Sequence, residues 1–139
     1  MRQFGPEPQE ACIERPGAYA VIVDERWRVA VVRVPDGVYL PGGGIEGEES
    51  PEEALRREVR EETGLEIDIL SPKGIALQYV HWRGTWYNKV GHYFVCRPVS
   101  QGVAAEEDHA LEWWSSTRAI RELTHEAQRW VVQRAMSPC

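Results

Sequence analysis

The chain has 139 residues, a formal net charge of −6 and a hydrophobic share of 42%, enough to bury an ordinary core without cross-links. An acidic chain is a poor partner for long nucleic acid, whose binding is driven by counterion release from basic surfaces. No apolar run approaches the roughly 18 residues that a membrane span needs, and the polar start Met1 to Glu10 is unlike a secretory signal.

Cys12, Cys96 and Cys139 are odd in number and far apart, which suggests neither a disulfide framework nor a paired-cysteine zinc site. A soluble, cytoplasmic protein is the expectation.

Residues 1–15 hold two prolines and little periodicity, and read as a loose lead-in or a short edge element before a single domain over 16–139. Ala18 to Val23 and Arg28 to Val34 are rich in Val and Ile, with Asp24 to Trp27 as a polar turn, and predict paired strands. After a short apolar step at Val38 to Leu40 comes Pro41-Gly42-Gly43-Gly44, read as an irregular loop where backbone approaches something closely.

Ser50-Pro51-Glu52-Glu53 is a helix start. It has a serine N-cap, proline at the first helical position and Glu53 three residues after the cap. The helix is expected to run to about Thr63, with Gly64 as its stop.

Ile67 to Leu70, Gly74 to Trp82 and Thr85 to Cys96 follow as strands, with Arg83-Gly84 as a hairpin turn, and Leu111 to Ser115 is a weaker candidate. Ala119 to Leu123 and His125 to Met136 read as helices. Strands interleaved with helices imply an α/β fold in which a mixed sheet is covered on both faces.

The charge is unevenly spread. Between Gly42 and Leu65 stand eight glutamates and three arginines, so that five of the six net negative charges sit there. Residues three and four apart share a helix face, which brings Glu58, Glu61 and Glu62 together while Arg56 and Arg60 turn away. Like charges so placed cost helix stability, and a divalent cation removes that cost. Carboxylate oxygens suit a hard ion, and magnesium characteristically takes one or two carboxylates together with substrate phosphates.

Gly43, five residues, Glu49, seven residues, then Arg57-Glu58-Val59-Arg60-Glu61-Glu62-Thr63-Gly64-Leu65 match all nine specified positions of the Nudix box, and the chain resembles that family. The resemblance implies an α/β/α sandwich with a mixed β-sheet between helices, and a hydrolase that splits a phosphoanhydride bond in a small nucleotide-like substrate. It implies Mg2+, or Mn2+, held by Glu58, Glu61, Glu62 and the backbone carbonyl of Gly42, with Arg57 and Glu49 bracing each other. Glu58 ranks first as general base. Glu107, five residues before Glu112-Trp113, is similar to the loop glutamate of MutT-type members.

Arg33 is a candidate for a phosphate-binding fork, Tyr79 heads an aromatic stretch running to Phe94 that suits base stacking, and His125 falls where MutT-like members can hold a base-reading asparagine. A (d)NTP or oxidised nucleotide is the favoured substrate. ADP-ribose, a nucleotide sugar or a diadenosine polyphosphate, and a non-catalytic nucleotide-sensing domain, are the alternatives. Six tryptophans leave room for a homodimer interface.

Overall fold

A computed structural model describes residues 1–104, 106 and 108–137. Its elements in chain order are β1 (Arg2–Phe4), β2 (Ile13–Ile22), β3 (Arg28–Val34), β4 (Gly37–Tyr39), β5 (Gly42–Gly44), α1 (Pro51–Thr63), β6 (Leu65–Trp82), β7 (Thr85–Gln101), β8 (Ala110–Ser115), α2 (Ser116–Glu122) and α3 (Glu126–Met136). They form a mixed five-stranded sheet in the order β1-β6-β7-β2-β5 and a three-stranded sheet in the order β4-β3-β8. No helix among the described residues is long and apolar enough to cross a membrane.

The helices lie on both sides, as the alternation along β2 requires. Ala18, Ala20 and Ile22 point to a core shared with Leu55 and Val59 of α1, and Tyr19 and Val21 point to a second core shared with Leu123, Val131 and Val132 around α2 and α3. Two alanines on the α1 side let that helix approach the sheet closely. Leu55 and Val59 are fully buried there.

Three expectations need correction. The strands β2 and β3 do not pair along their length. They belong to different sheets and meet only at a Val23–Val29 bridge, because the Asp24 side chain caps the turn by accepting from the Arg26 and Arg28 amides and lets the chain change layer. The segment Gly42–Gly44 is not irregular loop but the edge strand β5, antiparallel to β2 with Gly17 opposite Gly44 and Tyr19 opposite Gly42. Ile67 to Leu70 and Gly74 to Trp82 are one strand, interrupted by bulge-like register shifts around Leu70 and Lys73.

Of the two readings of the N-terminus, the structure shows the edge element. Arg2–Phe4 runs parallel to β6, and the buried Phe4 ring lies 5.5 Å from that of Trp130. The hairpin at Arg83 and Gly84 is as expected, with φ of 49° and 81°, the paired positive values of a tight two-residue turn.

Candidate active site

α1 is fixed at both ends by its own sequence. Ser50 accepts from the Glu53 amide while the Glu53 carboxylate accepts from the Ser50 amide, and Gly64 closes the helix in the left-handed region at φ 77°. This anchoring sets the rotation of the helix, and with it the direction of its glutamates.

Arg57 is the hub. Its Nε and Nη2 donate to the two oxygens of Glu49 at 2.7 and 2.9 Å, Nη2 also donates to the Gly44 carbonyl at 3.1 Å, and Nη1 donates to Glu58 Oε1 at 3.0 Å. The guanidinium holds the Glu49 carboxyl down at about 2. Arg56 and Arg60 do turn away, to the Ile67 carbonyl and to Glu66.

A lysine could not span these partners, because it offers a point charge in place of a planar fork. Arg57→Lys is therefore expected to keep the fold while lowering kcat by roughly 10- to 100-fold, the usual effect of losing a group that orients a ligand. Steady-state kinetics beside a thermal melt would check it.

Glu62 is almost buried and accepts from the Gly42 amide at 2.8 Å. Burial, reinforced by the charges of Glu58, Glu106 and Glu61, pushes its carboxyl up to about 8. The Glu58 carboxyl is raised as well, first by burial, although Arg57 works against the shift. Gly43 gives Glu58 its room, since a Cβ there would lie 2.5 to 2.9 Å from the Glu58 carboxylate atoms.

Opposite α1, the segment before β8 brings in two groups that the spacing did not single out. The ligand-capable atoms of Glu58, Glu61 and Glu106 lie within 4.8 Å of one another, as do those of Glu62, Glu106 and His109. His109 Nδ1 is 3.1 Å from Glu106, and its Nε2 is 3.6 Å from Glu62. Glu107, the loop glutamate expected from spacing, lies outside the described residues. A run of three acids gives no local sign of which one turns inward.

Beside this cluster opens a cleft of about 620 Å3 between the two sheets. Gly42, Gly43 and Glu62 are among its lining residues, as are Tyr39, Leu40, Tyr87, Lys89 and His125. His125 is thus in the cleft, its ring centroid 4.9 Å from that of Tyr39 in an edge-on contact.

Arg33 and Tyr79 are not brought to the cleft. Alternation points Val32 and Val34 into it, and turns Arg33 outward, where its Nε donates to Glu112 at 2.6 Å. On β6 the cleft-lining residues are Val80, His81 and Trp82.

Burial, with the nearby charges of Lys89 and Arg129, pushes the His125 imidazole down to about 3. Above its ordinary value of 6.5 the folded and unfolded chains both hold it neutral. As pH falls from 6.5 toward 3 only the unfolded chain takes the proton, so stability is lost across that window, by at most about 1.4 kcal/mol per pH unit. His125→Gln is expected to flatten this part of the profile, as urea denaturation at a series of pH values would show.

A family model described as the NUDIX domain matches residues 13–135. A MutT-like protein from Streptomyces ambofaciens is 33% identical over 120 residues, covering 81% of this chain and 73% of the relative. Among solved structures, a MutT protein from Methanosarcina mazei Go1 superposes with a TM-score of 0.71 at 21% identity, covering 91% of this chain and 95% of the other. An ADP-ribose pyrophosphatase from Streptococcus suis gives 0.65 at 18% identity, covering 90% and 94%. With the box on α1, its Glu62 lining the cleft and a family match running almost from end to end, the chain belongs to the Nudix hydrolases, enzymes that act on phosphoanhydride bonds.

Proposed function

We propose that this chain is a magnesium- or manganese-dependent pyrophosphohydrolase of small nucleotides, with a (d)NTP or an oxidised nucleotide as the favoured substrate and nucleotide-pool sanitation in the cytoplasm as its role. The observation that carries this reading is the continuity of the carboxylate cluster with an aromatic cleft. One end suits phosphates, and the other suits a flat base.

The donor set fits a hard divalent ion. Glu58, Glu61 and Glu106 converge to within 4.8 Å, and burial, with the neighbouring carboxylates adding to it, raises the Glu58 and Glu62 carboxyls. Glu58, Glu61 and Glu62, with the Gly42 carbonyl, would hold the ion. When bound, it supplies the positive charge that phosphate oxygens and a departing phosphate require.

The remaining work falls to the chain itself. Glu58, held in place by Arg57, accepts the proton of the attacking water. Glu49 keeps Arg57 in place through its paired hydrogen bonds. Tyr39, Tyr87 and Trp82 provide aromatic surface for the base, and a triphosphate with one water gives a nucleoside monophosphate and pyrophosphate.

A phosphate-release assay with magnesium and added pyrophosphatase tests this across nucleoside triphosphates, oxidised dGTP, ADP-ribose, diadenosine polyphosphates and nucleotide sugars. Turnover of triphosphates above the other classes is expected. Turnover of ADP-ribose or a nucleotide sugar alone would move the substrate class, and binding with no turnover of any class would make the domain a sensor.

A further inference from the structure

Lys89 is a cation that the protein itself leaves unused. It stands on β7 with its side chain in the cleft, and among the described residues it has neither a hydrogen bond nor an ion pair. The side chains of Arg28, Arg33, Arg57, Arg60 and Arg97 all meet carboxylates. Burial disfavours the Lys89 charge, and the more distant Asp36 and Glu62 only partly restore it. An ammonium kept in such a place with an aromatic face beside it but no hydrogen-bond acceptor is suited to an acceptor that arrives with the ligand.

Its surroundings indicate which part of the ligand that is. The ammonium lies 5.7 Å from the centre of the Tyr39 ring, which also makes an edge-on contact with His125, so Lys89 borders the aromatic end of the cleft. Acceptors nearby each take a donor other than Lys89. The Gln128 side-chain oxygen takes the Leu40 amide at 2.9 Å, and that of Gln78 takes the Ala127 amide at 2.9 Å. Asp36 accepts from the Tyr39 hydroxyl. A lysine offers three donors and no acceptor. An exocyclic amino group facing it would set donor against donor, whereas a carbonyl oxygen would be matched.

We propose that Lys89 is a specificity-determining residue that donates to a keto oxygen of the substrate's base, favouring guanine, uracil or thymine nucleotides over adenine nucleotides. The inference rests on the nucleotide reading above and deepens it. A phosphate oxygen is chemically the same kind of acceptor, so the test must separate the two sources.

Wild type, Lys89→Met and Lys89→Arg would be compared for kcat and KM on GTP, UTP and ATP. Tryptophan fluorescence would follow equilibrium binding of α,β-methylene GDP, α,β-methylene ADP and inorganic tripolyphosphate. The wild type is expected to favour GTP and UTP over ATP by roughly 10- to 100-fold, the effect of one charge-assisted hydrogen bond. Lys89→Met should bring the three within about threefold by raising KM for the keto substrates far more than for ATP, and should weaken α,β-methylene GDP more than tripolyphosphate. Lys89→Arg, which keeps the donor, should restore part of the preference.

An equal loss for every substrate, with tripolyphosphate weakened as well, would assign Lys89 to phosphate and overturn the proposal, as would an unchanged preference in Lys89→Met. Nucleotide turnover with no base preference in the wild type would overturn it while leaving the proposed function intact. Failure of every nucleotide to bind or react would remove both. A melting temperature for Lys89→Met no lower than wild type guards against misfolding.

Discussion

Glu58→Gln is expected to lower kcat by about 10²- to 10⁴-fold, the range for removing a positioned general base, with little change in the KM of the nucleotide. The amide keeps the shape of the side chain, so the Cβ-free space over Gly43 and the packing of α1 on Ala18 and Ala20 are unaffected. Its carbonyl still accepts from Arg57, but it cannot take a proton from water and is a weaker donor to a hard cation. The split between kcat and KM distinguishes this from a fault in substrate binding. Metal titration adds a second check, since the variant should need more magnesium for half-maximal rate. An unaltered kcat would exclude Glu58 as the base and shift attention to the acids before β8.

Gly42→Ala is expected to cost about 2–5 kcal/mol of stability, combining backbone strain with overpacking. Gly42 has φ 144°, a conformation that L side chains rarely adopt, and an added Cβ would run into the Ala18 carbonyl oxygen and lie 2.7 Å from the Tyr19 Cα. Both are backbone atoms of β2, an interior strand of its sheet, so the strain has no side-chain rotamer through which to relax. The same peptide carries the amide that Glu62 accepts from, and a displaced β5 would misplace that glutamate. Gly44→Ala is the matched control. Among the described residues nothing lies within 4 Å of a Cβ there, and a change within about 0.5 kcal/mol is expected. Urea midpoints for the two variants decide the matter, and equal midpoints would remove the strain argument.

The site was legible where local chemistry dictates the backbone. Ser50, Pro51, Glu53 and Gly64 mark both ends of α1 without reference to the rest of the fold, and once the helix is placed its 3.6-residue period puts Glu58, Glu61 and Glu62 on one side. The two-sheet arrangement was not legible. The strands β2 and β3 look alike as runs of Val, Ile and Ala, and nothing in such a run says which sheet it joins. Nor does glycine propensity predict a strand at Gly42–Gly44, where pairing against β2 comes from tertiary context.

Arg33 and Tyr79 illustrate a period-2 hazard, in which one position decides whether a side chain meets the cleft or its opposite face. Lys89 was invisible for a different reason. A lone lysine in a strand normally marks solvent, and only the packing of β7 against β2 and the second sheet encloses it. His109 and Glu106 depend on how one acidic segment folds back over α1, where the Glu106 amide donates to the Glu61 carbonyl.

The parallel pairing of β2 with β7 also sets an order of assembly. Ile13 sits opposite Tyr87 and Ile22 opposite Cys96, so the strand that supports α1 cannot complete its sheet until the whole β6–β7 hairpin exists. That hairpin can close locally through its two-residue turn, whereas β2 must find it across a long intervening segment, and such non-local closure is slow. On a growing chain the acidic helix is therefore made well before it has a completed sheet to dock on. Net negative charge of the kind its glutamates carry opposes association of an exposed, half-assembled segment, so the carboxylates of the site also suit the chain before the cleft exists.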